Sequence, residues 1–196
     1  MKTSLRELRT RLKRQRSGLT PAEQKHLSAQ AIQHLQRSKL FRSARNIAIY
    51  LPVRGEIDPS ELPRYGRSGQ KFYLPVLSLY KPHGLTFIRW DKDTRFRNNR
   101  FRIPEPLVKH KKLKSSRQMD LVVMPLLAFD LNGSRLGMGG GFYDRSFAFK
   151  NSTGRRAKPV LLGIAYQFQQ VETLPRQPWD VSLDAVVTNL QLQKFN

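Results

Sequence analysis

Arg135 and Asp144 bracket the segment Leu136-Gly-Met-Gly-Gly-Gly-Phe-Tyr143. A cation, a glycine cluster and a carboxylate in such close succession are the ingredients of phosphate chemistry. Gly137, Gly139, Gly140 and Gly141 carry no Cβ, so their backbone N–H groups can approach an anion closely. The apolar run ahead of them, Leu121 to Phe129, reads as a buried strand. Behind them, Phe142 to Phe149 has helical spacing. A glycine cluster between a strand and a helix start sets exposed amides beside the positive end of the helix dipole. Arg135 offers a cation for phosphate and Asp144 a carboxylate for a metal. No Lys-Ser/Thr pair follows the glycines, so the loop is not a P-loop, and its spacing is not that of a dinucleotide fingerprint. On these residues alone it is either a phosphate site or a structural turn.

The flanking chain must position this loop. Residues 2 to 16 hold seven basic residues and one acid, with Leu5, Leu8 and Leu12 at helical spacing. Lys2 and Arg6 share one face, one turn apart. Arg9, Arg11, Lys13, Arg14 and Arg16 read as surface charge, or as the patch behind any nucleic-acid affinity. Thr20-Pro-Ala-Glu23 is a capping box with proline in the first turn, opening a second helix that ends near Ser38. Asn46 to Pro52 reads as the first buried strand, with Gly55 marking the turn after it. Glu56 beyond that strand reads as an exposed loop carboxylate or a residue at a helix start. Further strands are expected at 70–77, 85–90, 159–165 and, as the last, 184–188, with a turn at Pro82-His-Gly84. Residues 91–118 are basic and irregular, with Ile103-Pro-Glu-Pro106 a rigid extended piece. That segment is a candidate lid. Phe101 within it either stacks on a ligand or packs beneath the loop. The alternation predicts a single α/β domain over residues 1–196. It has three layers, with a mostly parallel sheet flanked by helices in a Rossmann-like arrangement.

Composition narrows the class. The chain has no cysteine, which excludes disulfides and thiolate metal sites and fits a reducing, cytoplasmic setting. No stretch is apolar enough for a membrane span, so no membrane association is expected. Lys plus Arg number 36 against 14 Asp plus Glu, a formal net charge of +22. A field of that sign attracts polyanions, which keeps an accessory nucleic-acid affinity open.

Asp130, Gly133 and the string Arg135-Leu-Gly-Met-Gly-Gly-Gly-Phe-Tyr-Asp144 closely resemble the signature of the 5-formyltetrahydrofolate cyclo-ligase family, also called methenyltetrahydrofolate synthetases. Lys2 and Arg6, Thr20-Pro-Ala-Glu23 and Leu51-Pro-Val-Arg-Gly-Glu-Ile-Asp58 follow the family's order. So do Tyr73-Leu-Pro-Val76, Ile103-Pro-Glu-Pro106, Trp179-Asp180 and Val186-Val-Thr188. Asn189 departs from it, since many relatives carry an acid there.

The resemblance implies a monomeric enzyme that closes 5-formyltetrahydrofolate to 5,10-methenyltetrahydrofolate with ATP and Mg²⁺, releasing ADP and phosphate. It implies that Lys2, Arg6 and Arg135 hold ATP phosphates, with Leu136 and Gly137 to Tyr143 completing the nucleotide contacts. Leu51, Glu56 and Met138 to Phe142 would border the folate, and Asp144 and Asp180 would face Mg²⁺. Tyr143 is either a nucleotide contact or a core aromatic. Asp144 otherwise stabilises its helix dipole, and Asp180 otherwise is a loop carboxylate. In the implied reaction the nucleophile belongs to the substrate. None of His26, His34, His83 and His110 sits in an acid–base constellation, as that chemistry allows. The competing readings are a basic nucleic-acid-binding module and a relative acting on another small anion.

Overall fold

The computed structural model describes residues 4–77, 84–99, 102–107, 113–153 and 158–195. Lys2, the Pro82-His83 turn, Phe101 and His110 lie outside the described residues.

Helix α1 (Leu5–Ser17) begins at Ser4, whose hydroxyl accepts from Glu7 N while the Glu7 carboxylate accepts from Ser4 N. Helix α2 (Pro21–Arg37) begins at the same reciprocal cap built from Thr20 and Glu23, and the short α3 (Lys39–Ser43) follows it. The strands are β1 (Asn46–Ala48), β2 (Lys71–Leu77), β3 (Leu85–Arg89), β4 (Phe96–Asn98), β5 (Pro104–Pro106) and β6 (Leu113–Lys114). Then come β7 (Leu121–Pro125), β8 (Ala128–Phe129) and β9 (Arg135–Leu136). Helices α4 (Phe142–Phe147) and α5 (Lys150–Thr153) precede β10 (Val160–Ile164), β11 (Ala185–Val187) and β12 (Leu192–Lys194).

Eight strands form one sheet in the order β12-β11-β10-β7-β1-β2-β3-β6. The central run from β11 to β2 is parallel, and β12, β3 and β6 are antiparallel at the edges. The sheet is therefore mostly parallel, as the alternation of elements predicts. Strand residues alternate between two apolar layers. Ile47, Ile49 and Val123 join Ala31, Ile32 and Leu35 of α2 on one face. Ala48, Val122 and Met124 join Phe147 of α4 on the other. Period-two alternation sends successive side chains to opposite faces, and helices cover both.

Three expectations change. The apolar run 121–129 is not one strand. β7 stops at Pro125, and Ala128–Phe129 turns back as β8 to pair with β9, so a hairpin separates the central strand from the glycine loop. Residues 184–188 do not close the sheet, because β12 returns antiparallel beside β11. The 151–158 connector opens with a helical turn.

Strand order reverses between β1 and β7. From β1 the chain continues to β2 on one side, and from β7 to β10 on the other. In open α/β sheets such a switch point opens a crevice at the carboxyl ends of the strands, where ligands bind. Glu56 follows β1 and the glycine loop follows β7, so the two neighbouring strands deliver both to that edge.

Candidate active site

Asp130 and Gly133 build the hairpin that aims Arg135. The Asp130 carboxylate accepts from Asn132 N (3.0 Å) and Ser134 N (2.9 Å) through one oxygen and from Leu174 N (2.9 Å) through the other. Gly133 has φ +80°, and a Cβ there would meet Leu183 O at 2.9 Å. Only glycine suits that corner. Both signature residues thus shape the backbone.

Arg135 is nearly buried, its side chain 7% exposed, and it pairs with Asp144, which is 27% exposed, at 2.5 Å. Its Nη1 donates to Val181 O, and Val181 N donates to the same Asp144 oxygen at 3.2 Å. Burial draws the Arg135 guanidinium below its ordinary pKa, while the Asp144 and Asp180 carboxylates offset that loss. The structure therefore brings Arg135, Asp144 and the Asp180–Val181 segment together. The Asp180 carboxylate also accepts from Gln177 N at 2.8 Å.

Gly139 (φ +94°) and Gly141 (φ +63°) occupy the left-handed region, and Gly141 stands immediately ahead of α4. Gly137 does not, and a Cβ at Gly137 would meet nothing within 4 Å. Neither backbone conformation nor neighbouring atoms demand glycine at 137. The open space over 137 and 139 suits a group that comes against the backbone. Gly137→Ala is therefore expected to fold as the parent does, with an unchanged melting temperature, yet to bind ATP at least ~10-fold more weakly by calorimetry. Unchanged ATP affinity would remove the loop from the nucleotide site.

Of the α1 arginines that read as surface charge, Arg16 is buried and Arg9 is half-buried. Leu8 and Leu12 of α1 pack against Ala128, Leu136 and Leu174, which fixes the helix over the β8–β9 hairpin. Arg9 Nε then donates to Gly137 O at 3.3 Å. Arg16 is 1% exposed; its Nε donates to Arg54 O at 3.0 Å, and its Nη1 lies 3.5 Å from Glu56 Oε1. The four-residue rhythm Leu8, Leu12, Arg16 puts Arg16 on the buried face, a signal that the charge of its neighbours conceals. Arg6, by contrast, is exposed and lines an open groove along α1 with Arg11 and Arg14.

Glu56 corrects the exposed-loop reading. It is 8% exposed, its second carboxylate oxygen accepts from Val53 N at 3.1 Å, and burial raises its pKa against the opposing effect of Arg16. On α4, burial, then the Glu56 charge, push the Tyr143 hydroxyl well above its ordinary value. The Tyr143 ring stacks on Phe147 at 6.4 Å, so it packs as a core aromatic while its hydroxyl lies within the electrostatic influence of Glu56. Leu51 packs against the α2 side of the core, Leu136 is buried, Phe142 is half-buried and Met138 is exposed. The basic segment forms the β4–β5 hairpin, and Glu105 within it accepts from Leu77 N at the carboxyl end of β2. The candidate lid is thereby tied to the same sheet edge.

Among the described residues no group of three or more His, Asp or Glu could cage a metal. Mg²⁺ commonly takes one or two carboxylates, substrate phosphates and waters, so Asp144 and Asp180 near Arg135 still fit it. No helix among the described residues is long and apolar enough to cross a membrane.

The fold is an α/β sheet with a glycine loop, a buried Arg–Asp pair and a buried carboxylate at its switch point, an arrangement found in α/β enzymes. The profile described as the 5-formyltetrahydrofolate cyclo-ligase family matches residues 1–189. The chain is 39% identical over 178 residues to a 5-formyltetrahydrofolate cyclo-ligase from Haemophilus influenzae, covering 90% of this chain and 93% of that one. It is 35% identical over 178 residues to that of Escherichia coli, covering 90% and 96%. The solved 5,10-methenyltetrahydrofolate synthetase from Aquifex aeolicus superposes with a TM-score of 0.80 at 29% identity, over 97% of this chain and 92% of that one. The chain belongs to the 5-formyltetrahydrofolate cyclo-ligase family and is an enzyme.

Proposed function

We propose that this enzyme closes 5-formyltetrahydrofolate to 5,10-methenyltetrahydrofolate with MgATP, releasing ADP and phosphate. The observation that carries this reading is the switch-point arrangement. An unfilled glycine floor and the Arg135–Asp144 pair follow β7, and the buried Glu56 carboxylate follows the adjacent β1.

A formamide oxygen is a poor leaving group, so attack by the neighbouring amine of the folate stalls without activation. Transfer of the γ-phosphoryl group from ATP to that oxygen makes a phosphate ester. The amine then forms the new C–N bond and loses its proton as phosphate departs. The protein contributes position and charge, which is most of what phosphoryl transfer requires. Arg135 and the amides of Gly137 to Gly141 neutralise and orient phosphates, with Lys2 and Arg6 as further cations from the amino-terminal segment. Leu136, Phe142 and Tyr143 border the nucleotide. Glu56 accepts N–H hydrogen bonds from the folate, which Leu51 and Met138 flank. Asp144 and Asp180 would hold Mg²⁺, which would supply neutralisation of phosphate charge.

The test is absorbance in the band of the methenyl product, with purified protein, 5-formyltetrahydrofolate and MgATP. An ATP-dependent rise is expected, and its absence would overturn the reading.

The groove on α1 lined by Arg6, Arg11 and Arg14 supports a second, accessory reading, an affinity for RNA phosphates. Association with single-stranded RNA should then weaken steeply with salt, by about 0.7 log units per tenfold salt for each phosphate contacted. No binding at low salt would end it.

A further inference from the structure

Arg16 is the most buried charge on the basic helix α1, and the reaction outlined above gives it no part. Its surroundings do. Arg54 (φ +52°) and Gly55 (φ +73°) are consecutive residues in the left-handed region, so the loop between β1 and Glu56 is a tight one. Arg16 closes it by donating Nε to Arg54 O while its Nη1 faces Glu56. Tyr166 holds the same turn from the other side, its hydroxyl donating to Gly55 O at 3.1 Å. Tyr50 donates to Ile57 O at 2.7 Å just beyond. Gly55 is closely held: its φ is left-handed, and a Cβ there would press on Arg16 O and Gln24 Nε2, each at 3.2 Å.

We propose that Arg16 is a positioning residue for the folate site, holding Glu56 ionised and aimed so that its carboxylate accepts hydrogen bonds from substrate N–H groups. The proposal rests on the folate-binding part of the reading above. A carboxylate this buried favours its neutral form unless a cation stands beside it. Protonated, Glu56 loses one acceptor and gains a donor, which mismatches an N–H partner. The other groups that face it are Arg54 in its own loop, Tyr50 at the end of β1, Tyr143 on α4 and Tyr166 after β10. Asp58 acts on the two tyrosines Tyr50 and Tyr166. Of the two cations among them, Arg16 acts on the carboxylate more strongly than Arg54.

Burial raises the Glu56 pKa above 4.5, and Arg16 lowers it. Removing Arg16 raises it further, so the acid limb of kcat/KM for the folate should move to higher pH. The stability sign is equally defined. A carboxyl with a raised folded-state pKa contributes stability below its unfolded value, which is lost as pH rises through the folded value. The melting deficit of Arg16→Met should therefore be largest near neutrality and shrink on acidification.

The experiment compares wild type, Arg16→Met, Arg16→Lys, Glu56→Gln and the double variant Arg16→Met/Glu56→Gln. Arg16→Met should raise the KM for 5-formyltetrahydrofolate roughly tenfold or more, as loss of a charged hydrogen-bond acceptor does. The KM for ATP should stay put, and Arg16→Lys should recover part of the loss. Glu56→Gln should abolish the acid limb, and adding Arg16→Met to it should cost little more. A wild-type folate KM and acid limb in Arg16→Met would overturn the proposal. So would an equal penalty for Arg16→Met in the two backgrounds, which is what a purely structural arginine gives. If Arg16→Met does not fold, the Arg16→Lys profile decides: an acid limb identical to wild type overturns the proposal, and one moved to higher pH upholds it. A wild-type protein without ATP-dependent product would instead sink the underlying reading.

Discussion

Arg135→Ala is expected to fold and to lose turnover by roughly 10³-fold or more, the scale on which arginines act in phosphoryl transfer. The side chain has two tasks that fail together. Its guanidinium, itself nearly buried, carries positive charge to the edge of the glycine loop, where a buried charge is less screened than one in bulk water. It also holds Asp144 and Val181 in register through its two Nη atoms. Removing one partner of a buried pair destabilises by up to ~3–5 kcal/mol. Asp144 keeps contact with solvent and with Val181 N, so the cost should fall at or below the lower end of that range. A 10³-fold loss of turnover corresponds to about 4 kcal/mol of barrier, so the loss of activity should exceed the loss of stability. Arg135→Lys separates the two tasks, since lysine keeps the charge but not the planar fork. Steady-state kinetics beside a thermal melt measures both. Wild-type turnover in Arg135→Ala would show that the site lies elsewhere.

Asp144→Asn should lower kcat/KM for MgATP by roughly 10²–10³-fold if Asp144 holds Mg²⁺, because the bound metal supplies several kcal/mol of charge stabilisation that a weakened site forfeits in part. Raising Mg²⁺ should recover part of the loss. The alternative role, a negative charge at the start of α4, makes a different forecast. Loss of a helix-dipole interaction costs about 0.3–1 kcal/mol of stability and leaves turnover near normal. α4 has only six residues, which already weakens the dipole explanation. A variant with unchanged kinetics, no altered Mg²⁺ dependence and a slightly lowered melting temperature would return Asp144 to that modest role.

The parts of this enzyme legible in its sequence are those written in local chemistry. Thr20 and Glu23 announce the start of α2 because a side-chain cap needs only residues three apart. Alternating strands and helices foretell the parallel centre of the sheet. What stayed hidden depends on partners distant in the chain. Pro125, which has no N–H for the ladder, is a local mark for the end of β7. The apolar residues from Leu126 to Phe129 mask it, and only the pairing of β8 with β9 shows that the chain has turned. Glu56 looks like a loop acid until Arg16, on the basic amino-terminal helix, covers it. Arg9 is one of many surface-like arginines until α1 docks against the hairpin that leads into Gly137. Asp130 and Gly133 stand out in the motif, yet their work is architectural, holding the turn that presents Arg135.

The bend from Gly137 to Gly141 should receive the triphosphate and face the Glu56 carboxylate across the switch point. A crystal structure with a non-hydrolysable ATP analogue, Mg²⁺ and 5-formyltetrahydrofolate tests it most directly. The expected map shows phosphate oxygens on the 137–141 amides, Asp144 toward the metal and the formyl oxygen in line with the terminal phosphorus. Nucleotide bound away from these amides, with the glycines only turning the chain, would contradict it.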